Sequence, residues 1–112
     1  MPSDLEKTGL PRAAIEKINS VFARYPALEQ AILYGSRAKS TFRNGSDIDL
    51  TLQGDSLGYQ ELSRIEWELD DLLLPYKIDL SLYKHIDNPD LIAHIQRVGR
   101  VFYKRTNTDK DA

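Results

Sequence analysis

Three aspartates carry the most legible chemistry in this sequence: Asp47 and Asp49 in the segment DIDLTLQ, and Asp79 in YKIDLSLY. Both segments alternate apolar and polar residues with a period of two, which predicts half-buried strands. Residues two apart on a strand point the same way with Cα atoms about 6 to 7 Å apart, so Asp47 and Asp49 aim at one small volume. Asp79 joins them if its strand is a neighbour, since it occupies the polar face of a strand that begins with the same Ile-Asp-Leu triplet. Three ionised carboxylates about 6 Å apart repel by roughly 3 kcal/mol per pair at an effective dielectric near 20. A small domain has only about 5 to 15 kcal/mol of net stability. The cluster therefore calls for a cation or a raised pKa on one member, and hard oxygen donors favour Mg²⁺, with Mn²⁺ as a substitute. Two such ions about 3.5 to 4 Å apart clamp the attacking and leaving oxygens of a phosphoryl transfer. The plain alternative is an exposed strand face that happens to carry Asp. Asp is depleted in strands, however, and no Lys or Arg alternates with this pair.

A second feature lies upstream. Gly35-Ser36 ends the apolar run Ala31 to Tyr34 and opens the stretch RAKS, short enough for one or two helical turns. A glycine there lets backbone approach a phosphate, and free N–H groups with the Ser36 hydroxyl can hold its oxygens. Lys39 and Arg43 add positive charge to the same loop, and Arg37 either helps hold phosphate or faces solvent. Alone, Gly-Ser is an ordinary turn. Beside a DID strand it reads as a phosphate cradle.

These residues must be positioned by a few elements. A helix is predicted from Pro11 to about Arg24, with Ala14, Ile15, Ile18, Val21 and Phe22 at helical spacing and Pro26 as its stop. A buried strand over Ala31 to Tyr34 and the DIDLTLQ strand follow. The longest helix is expected from Tyr59 to Leu74, with Leu62, Ile65, Leu69, Leu72 and Leu73 on one stripe and Pro75 as terminator. On that helix Trp67 and Leu74 lie nearly opposite the stripe, either as an exposed contact patch or packed on the C-terminal segment. The YKIDLSLY strand, a helix from about Pro89 to Arg97 and a short strand in RVFYKR complete the chain. His85 and His94 fit no ligand spacing and read as surface or structural residues. The order implies an α/β (α+β) two-layer domain, a small sheet with helices on one face and the carboxylates on an open one.

The 112 residues, 41% apolar and 29% charged, suit one soluble domain over residues 1 to 105, with a disordered tail expected from 106 to 112. A formal charge of -2 and a pI near 5.6 give no broad basic field, so direct nucleic-acid binding is not expected. The absence of cysteine excludes a disulfide, a thiol nucleophile and a thiolate zinc site. Neither a secretory signal nor a membrane span is visible, which makes the cytoplasm the default.

The run YGSRAKSTFRNGSDIDL resembles the signature of the polymerase-β-like nucleotidyltransferase superfamily, and the similarity extends from Ala31 to about Tyr83. In length the chain is similar to the minimal nucleotidyltransferases (MNT), antitoxins paired with HEPN-domain toxins. That resemblance implies the two-layer nucleotidyltransferase fold with a mixed sheet. It also implies Gly35, Ser36 and Arg37 at the nucleotide, and Asp47, Asp49 and Asp79 as metal ligands and catalytic groups. ATP becomes the expected donor and Mg²⁺ or Mn²⁺ the cofactor. The acceptor would be a tyrosine of a HEPN toxin, since a single domain leaves no room for an acceptor-binding lobe. A non-catalytic antitoxin that works by occlusion, and an aminoglycoside-type enzyme completed by a homo-oligomer, are the alternatives. Relatives commonly carry a second glycine where this chain has Ser40.

Overall fold

The computed structural model describes residues 8–39 and 46–105. Arg43, Ser40 and the tail expected to be disordered lie outside them. Among the described residues, three α-helices and four strands follow one another as α1 (Arg12–Phe22), β1 (Gln30–Tyr34), β2 (Ile48–Gln53), α2 (Tyr59–Asp70), β3 (Ile78–Leu82), α3 (Pro89–Val98) and β4 (Arg100–Lys104). A 3-10 turn over Tyr83–His85 separates β3 from α3.

The strands form one mixed sheet in the order β3-β2-β1-β4. β1 runs antiparallel to both β2 and β4, whereas β2 and β3 are parallel and need the crossover that α2 supplies. Period two sorts the sheet into two faces. Leu33, Ile48, Leu50, Leu52, Leu80 and Leu82 point into the main core, where they meet Ile15, Ile18 and Phe22 of α1 and Leu62, Ile65 and Leu69 of α2. All five apolar residues expected on the first helix are buried. Phe102 of β4 closes that core edge-to-face on Phe22, with ring centroids 6.4 Å apart.

α2 is shorter than its sequence pattern suggests and ends at Asp70 instead of Leu74. Pro75 disfavours helical backbone at the residue before it, and the chain has to turn back to reach the start of β3. Leu73 takes up that turn at φ 55 and is 86% exposed, so it leaves the apolar stripe. Leu72 and Leu74 stay half-buried against the core.

α1 and α2 cover the core face, and the carboxylate face is open at β2 and β3. α3 is different, since it packs on β1, where Gly99 just past its end meets Ile32 on the carboxylate side. Asn88 caps its first turn, its side-chain oxygen accepting the N–H groups of Asp90 and Leu91. Ile32 and Ile95 are buried yet lie outside the main core. The approach is tight: a Cβ on Gly99 would lie 2.4 Å from the Ile95 carbonyl oxygen and 2.7 Å from Ile32 Cγ2. Gly99→Ala should therefore lower stability by about 2 kcal/mol through overpacking. Urea unfolding would show this as a lower midpoint at unchanged slope, and an unchanged midpoint would show that α3 yields without cost.

Candidate active site

The parallel register places Asp49 directly opposite Asp79, and the antiparallel register places Tyr34 opposite Asp49. Tyr34, Asp49 and Asp79 thus form a row across three strands on one face, with about 4.8 Å between neighbouring backbones. Asp47 precedes β2 and is exposed, as is Asp79, while Asp49 is half-buried. Asp49 and Asp79 are brought side by side by the register, while Asp47 lies just before β2, near enough for its charge to be felt at Asp49. Among the described residues, no group of three His, Cys, Asp or Glu side chains is placed so that it could hold a metal ion.

Asp49 is the member with the perturbed acidity. Burial pushes its pKa up, and the charges of Asp79 and Asp47 push it further the same way. The Tyr34 hydroxyl is also raised, first by burial. A hydrogen bond shared with Ser81 pulls it back, and Asp49 and Asp79 add to the rise. Ser81 Oγ lies 3.1 Å from Thr51 Oγ1, so hydroxyl groups line the sheet beyond the carboxylates.

Gly35 abuts this row. It sits at φ +79, and a Cβ built there would fall 2.4 Å from Asp49 Oδ2. Conformation and close approach both demand glycine. The following residues close a helical turn in which the Lys39 N–H donates to the Gly35 carbonyl at 3.2 Å. Arg100 Nε donates to the Ala38 carbonyl at 2.8 Å, tying that turn to β4. Ser36 sits half-exposed at the start of the turn, next to Gly35.

Arg37 turns inward and is only 2% exposed. Its Nε donates to the Ser46 carbonyl at 3.1 Å and its Nη1 to the Thr8 carbonyl at 2.9 Å. The guanidinium also lies 5.0 Å from the centroid of the Tyr76 ring. These contacts staple the start of the loop to the segment that leads into β2, and neither solvent nor an exposed phosphate position is where this side chain is aimed.

His94 joins the site although its spacing suggested nothing. Its Nε2 accepts the Gly35 N–H at 3.2 Å, and its ring meets Tyr34 edge-on at 6.2 Å. The one available signal was phase: Leu91, His94, Ile95 and Val98 share the inner side of a 3.6-residue helix. His85 instead stacks on Tyr59, with centroids 4.8 Å apart.

A model of the polymerase β nucleotidyltransferase family matches residues 16–108. The chain belongs to that family. No curated protein matches it significantly. A crystal structure of a toxin-antitoxin with AMP-PNP is similar, at TM-score 0.64 and 22% identity over 90% of this chain and 79% of the other. So is the Shewanella oneidensis complex of a tri-AMPylated HEPN toxin with an MNT antitoxin, at TM-score 0.61 and 20% identity over 89% and 76%. A further toxin-antitoxin structure, MntA-HepT, gives TM-score 0.62 and 19% identity over 90% and 78%. These likenesses place the nucleotidyltransferase fold over nearly the whole of the chain.

Asp49 and Asp79 offer carboxylate oxygens of the kind a hard divalent cation takes, those of Asp49 partly desolvated and beside Gly35. Burial of Asp49, together with its repulsion by Asp79 and Asp47, has a measurable sign. Because the pKa of Asp49 is higher in the folded than in the unfolded chain, its stabilising effect is complete below about pH 3.9. That effect is lost as pH rises through the raised value, so ionised Asp49 destabilises the fold at neutral pH. In chelator at pH 7, Asp49→Asn should raise stability by about 1 kcal/mol after allowing for solvent screening. Thermal melts should show a rise of roughly 3 to 6 °C that fades towards pH 4. A variant less stable than wild type at pH 7 would contradict the repulsion.

Proposed function

We propose that this nucleotidyltransferase transfers AMP from ATP to a hydroxyl group, and that the hydroxyl is a tyrosine on a HEPN-domain toxin which it thereby neutralises. The observation that carries the reading is the in-register row of Asp49 and Asp79 beside the Gly35 turn. Asp47, Asp49 and Asp79 would hold Mg²⁺, or Mn²⁺ in its place, which when bound supplies charge neutralisation for the carboxylates and the phosphate oxygens.

In this reading the Gly35-Ser36 turn receives the triphosphate through backbone and hydroxyl donors. Arg37 keeps the turn in place from below. The acceptor oxygen attacks the α-phosphorus in line, a new P–O bond forms, and the bond to the β-phosphate breaks to release pyrophosphate. Asp79 takes the hydroxyl proton, being the exposed carboxylate of the row and reachable from solvent.

A partner that brings the hydroxyl needs a contact surface. Trp67, 82% exposed on α2, and Leu73, 86% exposed after its end, are large apolar side chains that such a partner would cover. The similar complexes with toxin chains support the same reading. Among the described residues no helix is long and apolar enough to cross a membrane. Incubation with a HEPN partner, Mg²⁺ and α-labelled ATP should label a partner tyrosine. Asp49→Asn should lower the rate by about two orders of magnitude or more. Absence of transfer, or transfer unchanged by Asp49→Asn, would contradict catalysis. Toxin neutralisation that survives both Asp47→Asn and Asp49→Asn would favour occlusion instead.

A further inference from the structure

We propose that His94 is a positioning residue for the nucleotide, fixing the Gly35 peptide and through it the phosphate-binding turn. The inference rests on the nucleotide-transfer reading of the site and assigns to α3 a part in it that the aspartates and the Gly-Ser pair do not supply.

Gly35 is held at three points. Its N–H donates to His94 Nε2 at 3.2 Å. Its carbonyl accepts the Lys39 N–H at 3.2 Å. Its Cα lies so close to Asp49 that a Cβ would reach Oδ2 at 2.4 Å. Glycine is the residue with most backbone freedom, and this one is at φ +79. Removing one tie frees the peptide plane between strand and turn. Small displacements of groups that position a reacting phosphate are costly, about 100-fold for 1 Å.

The imidazole is itself well placed to act as a fixed acceptor. Accepting an N–H at Nε2 requires the neutral ring with its proton on Nδ1. The ring edge packs on Tyr34, the in-register neighbour of Asp49. The next residue, Ile95, is buried, and Gly99, just past the end of α3, presses on Ile32. His94 therefore links a helix from the end of the chain to a turn 59 residues earlier. A histidine with only a packing role would affect stability and leave the turn and its ligand unchanged.

The test compares wild type with His94→Ala, His94→Gln and Ile95→Val in two measurements. One is amide hydrogen exchange at Gly35 without nucleotide. The other is calorimetric binding of AMP-PNP with Mg²⁺. His94→Ala should speed Gly35 exchange and weaken AMP-PNP binding, each by about tenfold. His94→Gln, whose amide oxygen can accept the same N–H, should restore both to within about threefold. Ile95→Val, which loosens α3 but keeps the imidazole, should leave both near wild type. Unchanged Gly35 exchange in His94→Ala overturns the anchor. Faster exchange with wild-type affinity overturns the link to nucleotide. A wild type that binds no AMP-PNP overturns that link together with the reading beneath it, whereas the exchange result still decides the anchor alone.

Discussion

The parallel, in-register pairing of β2 with β3 is the constraint on which the site depends. Two Ile-Asp-Leu triplets face each other residue by residue, Ile48 to Ile78, Asp49 to Asp79 and Leu50 to Leu80. Burying Leu50, Leu52, Leu80 and Leu82 on one face forces both aspartates onto the other. A slip of one residue would exchange the two sets and put carboxylates into the core, so hydrophobic burial locks the charges together. Like charges on adjacent strands are unfavourable. The core holds them there, and the pKa of Asp49 is raised, first by burial and then by the charges of Asp79 and Asp47.

Around this row the chain adds restraint without adding charge. Gly35 supplies the one backbone conformation and the one missing Cβ that let a turn press against Asp49. Arg37 and Arg100 both spend hydrogen bonds on main-chain carbonyls, so two cations next to the site act as staples. Tyr34 and the Thr51–Ser81 hydroxyl pair line the face beside the carboxylates, and α3 with His94 covers its β1 side. What remains open is the part over β2 and β3, where Asp47 and Asp79 are exposed. A ligand arriving there meets carboxylates first and the Gly35-Ser36 turn beside them.

Local pattern made much of this legible. Alternation in DIDLTLQ and YKIDLSLY revealed both strands and the face of each aspartate, because period two is a local property of the chain. The Gly-Ser pair pointed to the turn for the same reason. Strand order is not local, so the adjacency of Asp79 to Asp49 was conditional until β2 and β3 were seen to pair. The end of α2 was misplaced because Leu72 to Leu74 continue the apolar periodicity after the backbone has left the helix. Trp67 lay where its helical phase put it, on the outside, while Leu74 went inward with the turn. No local pattern in the sequence shows that two carbonyls and the Tyr76 ring await Arg37 inside, away from phosphate and solvent alike. His94 was missed because its partner is a backbone N–H 59 residues away.

The central claim is that the carboxylate row is a cation site beside the nucleotide turn, and paramagnetic line broadening tests it most directly. Adding substoichiometric Mn²⁺ to the wild-type protein and recording amide signals locates the ion without assuming any reaction. Broadening centred on Asp47, Asp49 and Asp79 and reaching Gly35 and Ser36, lost in Asp49→Asn, is the predicted result. Broadening centred instead on the acidic outer side of α2, around Glu66, Asp70 and Asp71, or spread evenly over the surface, would contradict it.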